Sequence, residues 1–174
     1  MKNALENIFS RKSTKKYIDK PVSREDIDTV IKAGISAASG RNLQAAIVVA
    51  ITDKETRDRL SAANAQVLGR EGDPFYGAPC VLVVLADKSC RTSLYDGSLV
   101  MGNMMLAAHA LGLGSCWIHR AREVFELDEW KNWLKDIGVE GDFEGVGNLI
   151  LGYPDGEIPD QLPRREGRVF YVAP

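Results

Sequence analysis

Seven basic residues fall in two clusters at opposite ends of the chain: Arg11, Lys12, Lys15 and Lys16 early, then Arg164, Arg165 and Arg168 late. Two readings of them are open. As solvated charge runs they do no more than keep both ends in water. If the fold brings the ends together, they form a grip for a phosphate monoester, because arginine forks match that dianion and charge-assisted hydrogen bonds are stronger than neutral ones. Other reactive residue types are sparse. The only two histidines, His109 and His119, stand at no ligand spacing to a cysteine or carboxylate pair, so no metal site is expected. His109 is expected to pack within its own helix. The three cysteines, Cys80, Cys90 and Cys116, form no CxxC pair, and reduced thiols are expected. Cys116 reads as a small buried hydrophobe.

The familiar phosphate and nucleophile motifs are missing. There is no GxxxxGK[ST], and Gly112-Leu113-Gly114 lacks the third glycine of a dinucleotide fingerprint. No GxSxG occurs. Ser13-Thr14-Lys15-Lys16 matches SxxK, but its SDN and KTG companions are absent, so the match is taken as chance.

The elements that must position these residues can be read from punctuation and periodicity. Asn3 to Phe9 reads as a short helix. A second helix starts at Pro21-Val22-Ser23, with Ser23 as cap, Asp26 in the first turn and Val22 stapled onto Ile27. Its apolar face at 27, 30, 31, 35 and 38 runs to a loop at Ser39-Gly40-Arg41-Asn42. Ala46 to Ile51 and Cys80 to Ala86 read as strands buried on both faces, separated by a polar helix from about Lys54 to Gly69 capped by Asp53. Ser98 to Leu111 reads as a helix apolar nearly all round, suited to a core or a subunit interface, with Met101, Met104 and Met105 as filler. Strands are expected at Ser115 to His119 and Val146 to Leu151, an amphipathic helix around Val124 to Leu134 between them, and an edge strand at Arg168 to Val172. No linker or repeat divides residues 1–174, so one domain mixing helices with a largely buried sheet is expected.

Composition narrows the function classes. The chain has 174 residues, 45% of them apolar and 26% charged, which supports a real core and argues against disorder. A net charge of -2 disfavours wholesale nucleic-acid binding. The longest apolar stretch, Leu99 to Leu113, holds Asn103 and His109 and falls short of the ~20 residues of a bilayer span. Met1 to Phe9 carries no secretory pattern, so a soluble, cytoplasmic protein is expected.

Several blocks, in order, resemble one family. They are Arg11-Lys12-Ser13-Thr14-Lys15 with Pro21-Val22, then Ala37-Ala38-Ser39-Gly40-Arg41-Asn42-Leu43-Gln44, then Asp73-Pro74-Phe75-Tyr76-Gly77-Ala78-Pro79. Leu111-Gly112-Leu113-Gly114-Ser115-Cys116-Trp117-Ile118 follows, and Leu151-Gly152-Tyr153-Pro154 with the arginines after Pro163 closes the series. Together they are similar to the nitroreductase family of FMN-dependent oxidoreductases and span nearly the whole chain. Departures are Ala38 in place of a proline and Ala45-Ala46 in place of Pro-Trp. The chain is also short, without the extra helices that cover the active site in longer members, which implies a more open pocket.

The resemblance implies an α+β fold of three layers, with a central, mostly antiparallel mixed sheet flanked by helices, in an intertwined homodimer with FMN at the subunit interface. It implies hydride transfer from NADH or NADPH through flavin N5 to electron-poor acceptors such as nitroaromatics or quinones. A non-catalytic flavin-binding or storage module, and a dehalogenating or flavin-degrading enzyme of the same superfamily, remain as alternatives. Arg11 and Arg164 would hold the FMN phosphate, assisted by Lys12, Ser13 and Arg165. Lys15 would stand by the N1–O2 edge of the ring. Ser39, Gly40, Asn42 and Gln44 would reach the partner's cofactor. Trp117, Ile118, His119 and Arg120 would present backbone N–H groups toward N5, with His119 a candidate proton donor.

Overall fold

A computed structural model describes residues 3–160 and 162–172. Its centre is a four-stranded sheet made of β1 (Ala46–Ile51), β2 (Cys80–Asp87), β3 (Gly114–Ile118) and β4 (Phe143–Gly152), in the order β1-β2-β4-β3. All three strand pairs are antiparallel. The parallel component expected of a mixed sheet is a single bridge, Ser13 to Ser115, outside the strands.

β2 explains the layering. It lies between β1 and β4, so both of its faces are covered and its apolar run is buried throughout. Cys80, Leu82, Val84 and Ala86 face one core, shared with α2 (Arg24–Ile35) and α4 (Ser93–Ala110). Val81, Val83 and Leu85 face the other, shared with α3 (Lys54–Leu68), α5 (Ala121–Phe125) and α6 (Asp128–Asp136). Burial of each such valine or leucine contributes about 1.5–3 kcal/mol, so this strand fixes the sandwich of helices around the sheet. A short α1 (Ala4–Ser10) precedes them, capped by Asn3, whose Oδ1 accepts from the Glu6 N–H at 2.9 Å.

The capping signals hold. Ser23 Oγ accepts from the Asp26 N–H at 3.1 Å, and Val22 and Ile27 join one core. Asp53 accepts from the Thr56 N–H at 2.8 Å, and that backbone bond holds its carboxyl below the usual range.

Several features differ from expectation, among them β4, which begins at Phe143, three residues before Val146. α2 ends at Ile35 with Ser36 as its C-cap, four residues before the loop thought to stop it. β1 is half-buried, with Ala50 exposed, because it is an edge strand rather than an inner one. α4 begins at Ser93, five residues early, since its polar first turn has buried partners. The helix expected around Val124 to Leu134 is two helices broken at Leu127. Arg168 to Val172 forms no strand and stands exposed.

Candidate functional site

α1 stops at Ser10, and the chain then runs extended beside the sheet. The Thr14 N–H donates to the Ser115 carbonyl at 3.0 Å, Ile18 N–H to the Tyr153 carbonyl at 3.1 Å, and Asp155 N–H to the Lys16 carbonyl at 3.0 Å. Gly114 permits this approach, because a Cβ there would meet Thr14 at 2.7 Å. Thr14 is buried, so the alternation of an extended segment turns its neighbours Ser13 and Lys15 outward, and both are exposed. Tyr17 donates its hydroxyl to the Thr14 carbonyl at 2.7 Å. Burial, with Cys116 nearby, pushes that phenol far above its usual range, so it stays a donor.

The C-terminal segment closes over this wall and leaves a cleft of about 900 Å³. Arg11, Lys12, Ser13, Lys15 and Lys16 line one side, and Arg164, Arg165 and Arg168 the other. The two basic ends therefore line one cleft, with Lys15, Lys16, Arg164, Arg165 and Arg168 exposed. Two of the cations are engaged locally. Lys12 pairs with Asp160 at 2.7 Å and donates to the Ile158 carbonyl at 3.2 Å, and Lys16 pairs with Asp155 at 2.8 Å. The Lys12 ammonium holds the Asp160 carboxyl below its usual range. Among the described residues Lys15, Arg165 and Arg168 form no ion pair. Such a wall selects an anion.

Lys15 has an aromatic neighbour that sequence reasoning did not single out. Its Nζ lies 5.5 Å from the centroid of the Tyr76 ring. Tyr76 adopts φ 54° in a turn organised by Asp73. Asp73 accepts from Phe75 N–H at 2.9 Å, Gly77 N–H at 2.6 Å, Ser61 Oγ at 2.5 Å and Arg57 Nη2 at 2.6 Å. Partial burial raises the Asp73 carboxyl, but Arg57, Ser61 and the two N–H groups outweigh it and hold it below its usual range. Arg57 is buried and donates Nε to the Ala78 carbonyl at 3.0 Å. The Asp-Pro-x-x-Gly turn was visible in the sequence, but nothing in it pointed to Arg57 one helix earlier.

Trp117, Ile118, His119 and Arg120 form the end of β3 and the turn into α5, outside the lining of the basic cleft. The parallel bridge at Ser13–Ser115 makes the Lys15 segment and this end of β3 run in the same direction. Arg120 has φ 80°, and Asn64 Nδ2 donates to the His119 carbonyl at 3.0 Å, which fixes the turn. His119 is exposed. His109 has a partner outside its own helix, contrary to expectation: its Nε2 lies 2.9 Å from Ser10 Oγ on α1.

Ser39, Gly40, Asn42 and Gln44 form a loop outside the lining of the basic cleft of their own chain. Asn42 and Gln44 are exposed. Burial pushes the Cys80 thiol up to about 12, and buried Cys116 makes only a weak 3.7 Å contact to the Trp117 carbonyl. Among the described residues no three His, Cys, Asp or Glu side chains converge on a metal position, and no helix is long and apolar enough to cross a membrane.

The antiparallel sheet between helical layers, with a basic cleft at its β3 edge, defines a class that comparison identifies. The family model "Nitroreductase family" matches residues 8–146, and the chain belongs to that family. An NADPH-flavin oxidoreductase of Vibrio harveyi is 27% identical, over 97% of this chain and 72% of that protein. An FMN-dependent nitroreductase of Clostridium difficile R20291 is 28% identical with a TM-score of 0.79, over 96% of this chain and 98% of that one. A nitroreductase structure with bound FMN from Bacteroides fragilis NCTC 9343 shares the fold at a TM-score of 0.88 and 24% identity, over 99% and 100% of the two chains.

Proposed function

We propose that the chain is an FMN-dependent oxidoreductase that takes hydride from NADH or NADPH and delivers it to electron-poor small molecules such as nitroaromatics or quinones. The observation that carries this reading is the convergence of both basic ends on one cleft. The names of its relatives, an NADPH-flavin oxidoreductase and an FMN-dependent nitroreductase, support it. The residues fit the cofactor. A phosphate monoester needs clustered cations and hydroxyl or N–H donors, and the wall offers Arg11, Lys12, Ser13, Arg164 and Arg165. A cleft of about 900 Å³ has the capacity of a small-molecule site.

When bound, FMN would supply the two-electron hydride chemistry, while the protein supplies binding, orientation and electrostatics. Arg11 and Arg164 would take the phosphate, with Lys12, Ser13 and Arg165 beside them. Lys15 would hold a fixed positive charge at the N1–O2 edge, where negative charge builds on reduction. Tyr76 braces that ammonium from its other side. Asn64 fixes the turn at the His119 carbonyl, and backbone N–H groups of the 117–120 segment would be offered toward N5. His119, exposed at the same place, is the candidate proton donor.

A homodimer completes the proposal. Residues 41–44 of the loop are exposed and the loop is outside the lining of its own cleft, so it is assigned to the partner's pocket. Phe9 of α1, Tyr95 of α4, and Phe170 and Tyr171 of the tail are 73%, 73%, 85% and 91% exposed, apolar surface that a second copy would cover. One domain spans the chain, and the protein works in the cytoplasm.

The test is an absorbance spectrum of the purified protein before and after anaerobic NADH or NADPH. A yellow protein that either nicotinamide bleaches is expected. A protein that stays colourless after incubation with FMN would overturn the proposal. Bound FMN that neither nicotinamide bleaches would make the chain a flavin-binding module instead.

A further inference from the structure

We infer that Asp96 is a positioning residue for the Ser39–Gln44 loop, and that it acts on the flavin pocket of the partner subunit rather than on that of its own chain. The loop is strained. Arg41, Asn42 and Gln44 have φ of 53°, 55° and 50°, in the left-handed region that side chains with a Cβ disfavour. Such a conformation persists only where the surroundings impose it. Most of the loop's hydrogen bonds are internal: Asn42 N–H to the Ser39 carbonyl at 3.1 Å, Leu43 N–H to the Gly40 carbonyl at 3.0 Å, and Gln44 N–H to Ser39 Oγ at 3.1 Å. Among the described residues, one hydrogen bond joins residues 39–44 to another element, from Gly40 N–H to Asp96 Oδ1 at 3.0 Å.

Asp96 is built for that contact. It lies in the first turn of α4, is 5% exposed, and forms no ion pair among the described residues. Its second oxygen accepts from Thr92 Oγ1 at 3.1 Å. A buried carboxylate without a cation is costly, and here the helix N-terminus and two hydrogen bonds compensate it. The same α4 start shapes the loop sterically, since a Cβ on Gly40 would lie 2.4 Å from Thr92 Oγ1. A pocket of about 190 Å³, lined by Ser39, Gln44, Asp96 and Val100, adjoins the loop and gives part of it room to move. With Asp96 gone, the Gly40 N–H loses its acceptor and the strain at 41–44 can relax into this space.

This holds only if the loop completes a two-chain pocket, as proposed above, and the experiment separates the two ideas. FMN binding is read by the quenching of free-flavin fluorescence, on homodimers and on co-expressed, doubly tagged hybrids. The Asp96→Ala homodimer is expected to bind FMN about tenfold or more weakly, the worth of one charge-assisted hydrogen bond. Asp96→Asn, which keeps an acceptor oxygen, should lose less. A hybrid of an Asp96→Ala chain with an Arg11→Ala/Arg164→Ala chain should regain wild-type affinity at half stoichiometry, because one intact phosphate wall then meets one intact loop. A control hybrid uses Asn42→Ala in place of Asp96→Ala. Rescue in both hybrids supports the inference. Rescue with Asn42→Ala but not with Asp96→Ala would show that Asp96 acts on its own chain and would overturn it, as would wild-type affinity in the Asp96→Ala homodimer. Failure of both hybrids would remove the two-chain pocket itself. If Asp96→Ala does not assemble, the Asp96→Asn hybrid carries the same comparison.

Discussion

One wall of the cleft, Arg11 to Tyr17, is fastened to β3 by the Thr14 N–H to the Ser115 carbonyl, tied to the chain after β4 by the Asp155 N–H to the Lys16 carbonyl, and braced internally by the Tyr17 hydroxyl on the Thr14 carbonyl. The facing wall, residues 157–160 and 162–168, meets it chiefly through Lys12, which reaches Asp160 and the Ile158 carbonyl. The main chain of the first wall is set when β3 forms, so its cations start from a fixed backbone. The second supplies closing charge at the cost of ordering long side chains. Changes to the first wall should therefore harm both fold and binding, whereas changes to the second should touch binding alone.

The largest effect is expected from Gly114→Val, whose Cβ would press on Thr14 at 2.7 Å and lift the first wall from β3. Denaturant unfolding should show a loss of about 1–3 kcal/mol. FMN affinity should fall by more than about a hundredfold, since more than one charge-assisted bond is displaced. Unaltered affinity would show that this attachment is unnecessary.

Asp73→Asn probes the support behind Lys15 and Tyr76. Losing one of the two carboxylate partners of buried Arg57, with Asp58 left in place, should destabilise the protein by about 2 kcal/mol at pH 7. Because the folded carboxyl lies below its unfolded value of about 3.9, this contribution is complete above that pH and is lost as pH falls through the folded value. The unfolding curves of wild type and variant should converge below about pH 4. A gap that persists in acid would assign the loss to packing rather than charge.

On the second wall, Arg164→Ala should cost about ten- to a hundredfold in FMN affinity with an unchanged unfolding midpoint. A shift in that midpoint would break the contrast between the walls. The smallest effect belongs to Asp160→Asn. It frees Lys12 from its exposed partner, so FMN should bind slightly more tightly, most visibly at low salt, while stability stays the same. Weaker binding would mean that Asp160 orients Lys12 for the ligand rather than competing for it.

Local chemistry carried much of the fold into the sequence. Ser23 and Asp53 are caps in sequence and structure alike, and the β2 run is as apolar as its inner position demands. The edge position of β1 was illegible, because Ala46 to Ile51 reads the same whether one or two strands flank it. The early start of α4 was hidden for a related reason. Ser93 and Asp96 look like loop residues until the buried Gly40 N–H and Thr92 hydroxyl give Asp96 partners. At Leu127 no proline or glycine announces the break between α5 and α6. The two basic clusters were visible by charge, but their meeting across the length of the chain is a product of topology. Arg57, Asn64, Tyr76 and Asp96 share that difficulty, since each acts through a partner distant in sequence that no periodicity marks.

The segment that carries Ser13 and Thr14 also lies along the outer side of β3, the terminal strand of the sheet. Unpaired strand edges invite pairing with other chains, and here the ligand-binding wall blunts that edge. Proteolytic trimming past Thr14 would thus yield more than a cofactor-free protein. It would expose a template for β-augmentation, and the trimmed species should self-associate edge to edge.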